Sequence, residues 1–115
     1  MIRAHNVAAL GSLIYCHEEL IPLLEEHLED NEGEFLPHLV MSDIIRWMIQ
    51  HFLDQEFVCR SIVAWLERAY VRGPETVREM IVVSGLEMFP NPNEDGFELW
   101  GWLGPELRKY CPWTV

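Results

Sequence analysis

Glu25, Glu26, Glu29, Asp30, Glu32 and Glu34 stand within ten residues around His27, in the stretch EEHLEDNEGE, with no basic side chain among them. Carboxylates at this density can hold a metal ion, divide into an acid and a base, or attract a cationic partner. Calcium fails on register: placing Gly33 at the glycine of a calcium-binding helix–loop–helix puts Leu28 and Leu39 where the first and last carboxylates must stand. Transition metals fail on ligand number. His27 with Asp30, and His51 with Asp54, each give an i, i+3 pair, whereas a metal centre needs three or four ligands. The expectation is no metal and no cofactor.

Catalysis by paired carboxylates requires a cleft that drives their pKa values apart. Glu25 with Glu29 and Glu26 with Asp30 read instead as one face of a helix. The chain has no GxSxG, phosphate-loop or dinucleotide glycine pattern. Cys16, Cys59 and Cys111 form no CxxC pair and read as reduced thiols, with Cys59 inside an apolar run and Cys111 near the surface. The sequence thus points away from an enzyme, although an unrecognised pocket stays open as an alternative.

A partner gives the acids a physical reason to be together. Like charges at i, i+4 each cost a helix about 0.2–0.5 kcal/mol, and these lie near a helix C-terminus, where the macrodipole also disfavours them. Residues 1–45 carry nine acids and one arginine; residues 46–115 carry ten acids and seven basic residues. A field concentrated in this way steers a basic protein toward one part of the surface. The competing reading is a solvated face that only keeps the chain soluble.

Aromatic residues make a second candidate surface. Phe97, Trp100, Trp102, Tyr110 and Trp113 crowd the last nineteen residues. Trp100 is expected in the core and Trp113, in a short proline-containing tail, at an interface. Trp47 and Trp65 lie on apolar helical stripes and are expected in the core.

The net charge of -11 repels phosphate backbones and anionic membranes, so neither nucleic acid nor a membrane is an expected partner. No apolar run reaches membrane-spanning length, and the start of the chain makes a poor signal peptide, which predicts cytoplasmic residence.

The elements that position these residues read as helices. A chain of 115 residues accommodates one core, hence a single domain over 1–115. Residues 1–15 read as an N-terminal arm or short helix, with Val7, Leu10 and Ile14 on one face, and 111–115 as a tail. Leu20, Leu24 and Leu28, with Ile21 beside them, predict a helix ending near Asn31, with Gly33 as its stop. FLPHLVMSDIIRWMIQHFL is apolar around most of its circumference, leaving Asp43, Arg46 and Gln50 as one polar stripe, and is expected at the centre of the fold. The next run places Phe57, Ile62, Trp65, Leu66 and Ala69 inward and pairs Glu56 with Arg60 outside.

Gly73–Pro74 ends that helix and begins another, whose inward face is Val77, Met80, Ile81, Ser84 and Met88, although IVVS would also pass as a strand. PNPNEDG is a loop, and a short helix broken at Gly104 and Pro105 follows. The sum is an all-α fold, a compact bundle of four to five main helices.

LLEEHLEDNEGEFLPHLVMSDIIRWM, then VRGPETVREMIVVSGLEMF, then LGPELRKY resembles an uncharacterised family of short bacterial helical proteins, some of them similar to immunity proteins of toxin systems. The similarity spans about residues 20–110 and implies a bacterial, stand-alone helical fold without transferring a catalytic residue. The resulting expectation is a non-catalytic, acidic protein that binds a basic partner, in its most concrete form a toxin from a neighbouring gene. Glu25, Glu26, Glu29, Asp30, Glu32, Glu34 and Trp113 are the candidate contacts. A homodimeric structural role is the other alternative.

Overall fold

Apolar residues at positions 37, 40, 41, 44, 45 and 48 recur at the i, i+3, i+4 spacing of one helical face, and all six are buried in the computed structural model, which describes residues 2–113. They belong to α3 (Pro37–His51), the central helix, which touches α1 (Ile2–Cys16), α2 (Ile21–Asp30), α4 (Glu56–Arg72) and α5 (Glu75–Met80). The bundle is all-helical, with no strand among the described residues. It closes with two short helices, α6 (Leu99–Trp102) and α7 (Pro105–Arg108). Among these residues no single helix is long and apolar enough to cross a membrane.

The N-terminal segment is a full helix rather than an arm. Leu10, Leu13 and Ile14 of α1 are buried in the common core, while Val7 is only half-buried. A 3-10 turn (Glu18–Leu20) then leads into α2, with Pro22 in the first turn, where a missing N–H costs nothing. The inward face of α2 differs from the leucine stripe. Leu20 and His27 are buried, Leu24 and Leu28 half-buried, and Ile21 is exposed. The helix ends as expected, with Asn31 as its C-cap and Glu32 and Gly33 at positive φ.

The inward residues of α4 are Cys59, Ile62, Val63 and Leu66. Phe57, expected among them, is 87% exposed. It stands two residues before Cys59, about 200° around the helix at 3.6 residues per turn, and so points to solvent. Trp65 and Ala69 pack against the core half-buried, and Arg60 Nε donates to Glu56 Oε2 at 2.8 Å outside. Burial first, and then the charge of Asp54, push the Cys59 thiol up to about 12. Cys111 is half-buried and Cys16 exposed.

Gly73 caps α4, its N–H donating to Ala69 O at 2.7 Å, and Pro74 directly precedes α5. The helix then widens: residues Ile81–Gly85 make a π turn and Leu86–Met88 a 3-10 turn. IVVS is therefore helical. The wide turn moves the inward positions to Leu86 and Phe89, leaving Met88 exposed where a uniform α-helix would have buried it.

The C-terminal region is held by side chains gripping backbone. Trp100, buried as expected, donates from Nε1 to Pro90 O at 2.8 Å, which fixes the start of the 90–96 loop. Glu67 of α4 accepts the N–H groups of Glu106 and Leu107, each at 3.0 Å, and thereby caps α7. Glycine at 104 admits that carboxylate, because a Cβ there would lie 2.5 Å from Glu67 Cδ. Removing the cap with Glu67→Ala should cost about 1–2 kcal/mol, read as a lower urea midpoint at unchanged slope. Residues 114 and 115 of the expected tail, like Met1 of the expected arm, lie outside the described residues.

Candidate functional site

The acidic helix α2 lies beside the polar stripe of α3, and the space between them is a groove of about 630 Å³. Glu19, Glu26 and Asp30 line it from one side, Asp43, Arg46 and Gln50 from the other, with Leu39 and Trp47 contributing apolar surface. Glu26 and Asp30 share the groove because they are one helical turn apart. Glu25 and Glu29 are exposed outside it, and Glu32 and Glu34 sit on the turn and connection after α2. The sequence cluster is thus divided, and two acids distant in sequence, Glu19 and Asp43, join the groove in its place.

His27 sets the distance between the two helices. The residue is 4% exposed, and its Nε2 accepts the N–H of Leu36, the residue that precedes α3, at 3.0 Å. Asn31 Nδ2 donates to the His27 carbonyl at 2.7 Å, and Phe35 meets the imidazole edge-on at 6.0 Å between ring centres. The histidine that looked like half of a metal pair is a tie inside the bundle. His51, the other such histidine, stacks on Trp47 at 4.6 Å and lies 3.2 Å from Asp54. Among the described residues no three His, Cys, Asp or Glu side chains converge as metal ligands.

Four carboxylates against one guanidinium line the groove, and that guanidinium, Arg46, is already paired with Asp43. The surface therefore presents negative charge beside apolar surface from Leu39 and Trp47, an arrangement suited to the head and stem of a lysine or arginine side chain.

Trp113 is elsewhere. It lines a second groove of about 320 Å³ with Val82, Leu86, Phe89, Trp100 and Tyr110, and the two grooves share no residue. Trp113 keeps 37% of its surface exposed there. Trp47 and Trp65 pack on the core with one side open.

Two histidine–serine pairs had no local signature, being 44 and 46 residues apart. His17 donates from Nδ1 to Leu13 O at 2.8 Å, and its Nε2 shares a hydrogen bond with Ser61 Oγ, also at 2.8 Å. His38 Nδ1 meets Ser84 Oγ at 2.5 Å, while Ser42 Oγ donates to Ser84 O at 3.0 Å. Ser61 and Ser84 line neither groove. The contacts tie the end of α1 to α4 and the start of α3 to the π turn.

No curated protein and no solved structure matches the chain. The family described as "Domain of unknown function (DUF7674)" matches it over residues 13–112, a span that includes both grooves except Trp113, and the chain belongs to that family.

Proposed function

We propose that this chain is a non-catalytic binding protein that receives a basic segment of another protein in the groove between α2 and α3. The observation that carries this reading is the groove lining, where Glu19, Glu26, Asp30 and Asp43 face one guanidinium beside Trp47. An arginine or lysine entering there exchanges water for carboxylate oxygens at its head and apolar surface along its stem, and the field of the acidic half of the chain accelerates its approach. In its most concrete form the partner is a bacterial toxin encoded beside this protein, held by it in an inactive complex. Trp113, on a separate groove, is no part of that first contact.

The test is association kinetics with the adjacent gene product, comparing E26Q/D30N with E25Q/E29Q. Both variants remove two charges, so a purely global field predicts equal losses. Groove binding predicts that E26Q/D30N slows association or speeds dissociation by about tenfold or more, while E25Q/E29Q changes either rate by less than about threefold. Absence of a stoichiometric complex, or equal behaviour of the two variants, would overturn the reading.

A further inference from the structure

Most lysine and arginine side chains among the described residues are already engaged. Arg46 pairs with Asp43, Arg60 with Glu56 and the Trp102 ring, and Lys109 with Glu106. Arg78 lies over the Tyr70 ring, and Arg108 donates to the carbonyls of Gly101 and Leu103. Among the residues whose side chains are described, two arginines have no such partner, Arg68 and Arg72, and both line one pocket of about 350 Å³ between α1, α4 and the start of α5. They are one turn apart on α4, so their guanidinium groups open on the same side. His5 of α1 adds a third nitrogen-bearing side chain to the rim. The rest of the lining is apolar, led by Trp65, Ala9, Ala69 and Val77.

From this geometry we infer a binding site for a small organic carboxylate with an apolar body. A guanidinium pairs a carboxylate through two parallel hydrogen bonds, and two unpaired guanidinium groups beside an apolar hollow can take the head while the indole and aliphatic surface take the body. The volume falls within the range of small-ligand pockets. A single negative charge fits better than a doubly charged phosphate, because the carbonyl end of α4 lies at Arg72 and the whole chain carries -11.

The experiment is an amide chemical-shift titration of the full chain with indole-3-acetate, 4-phenylbutyrate and octanoate. Indole-3-acetamide and phenyl phosphate serve as matched controls, and R68Q/R72Q as the variant. The site predicts saturable shifts at Ala8, Ala9, Ala69 and Val77 with at least one carboxylate. It also predicts binding weaker by about tenfold or more for the matched amide or in R68Q/R72Q, as expected when charge-assisted bonds are lost. An unchanged spectrum of R68Q/R72Q away from the two substituted positions shows that the fold is intact. A spectrum changed throughout moves the decision to Arg68→Lys and Arg72→Lys, which keep charge but lose the planar fork and should still weaken binding. No saturable binding of any of the three acids at millimolar concentration would overturn the proposal, as would equal binding of amide and acid, or tighter binding of phenyl phosphate.

Discussion

His27→Ala should lower the stability of the fold by about 2–4 kcal/mol, the sum of a half-buried N–H left without its acceptor and the space left by the ring. The N–H is that of Leu36, at 3.0 Å from Nε2, and the ring is almost fully enclosed between α2 and the entry to α3. Two companion variants separate the contributions. His27→Phe keeps the volume and loses the acceptor, whereas His27→Gln keeps an acceptor of shorter reach, so both should fall between wild type and alanine. Urea denaturation decides the matter, provided the slope is unchanged. A loss for His27→Ala within the roughly 0.5 kcal/mol of a surface substitution would mean that His27 does not hold the helices together.

Gly73→Ala should be comparably damaging, by about 2–3 kcal/mol, for a reason that has nothing to do with positive φ. The residue has φ -80° and ψ 162°, which alanine adopts without strain. A Cβ would nevertheless stand 2.5 Å from Ala69 O, and 3.1 Å from Val77 Cγ1 on the other side. The carbonyl cannot retreat without giving up the 2.7 Å bond that it accepts from the Gly73 N–H. Gly11→Ala provides the contrast. It lies within α1 with nothing within 4 Å of its would-be Cβ, so the better helix former should raise stability by up to about 1 kcal/mol. Thermal melts of the two variants should move in opposite directions, and a shared direction would refute the steric account of Gly73.

Much of this architecture was legible from periodicity and punctuation. The buried stripe of α3 repeats at helical spacing, and Gly73 with Pro74 marks a boundary for reasons internal to those two residues. Side-chain direction at the margins was less legible. Phe57 is apolar and lies near an inward stripe, but two residues before Cys59 it stands across the helix from the core, an angle that becomes readable only once Cys59 rather than Trp65 anchors the inward face. Met88 lies two steps of four beyond Met80, through Ser84, and that spacing marks one face only while the helix keeps one pitch. The groove was legible in half: the run from Glu25 to Glu34 showed where charge accumulates, but not that Glu26 and Asp30 would face Asp43 and Gln50 while Glu25 and Glu29 face away. Nothing local marks the meeting of Arg68 and Arg72 with His5, which depends on α1 lying across α4.

The π turn at Ile81–Gly85 holds one residue more than an α-helical turn would hold over the same rise. In terms of chain length the turn is equivalent to one added residue, and a single-residue deletion would restore uniform pitch. Such a deletion would be locally favourable for the backbone, yet it would swing everything after it by about 100°. Leu86 and Phe89 would leave the core, and the Ser84 contacts with His38 and Ser42 would be lost. Length in this segment is therefore constrained more tightly than residue identity: a change of side chain at Val83, which is 49% exposed, can be neutral where the loss of that same residue cannot.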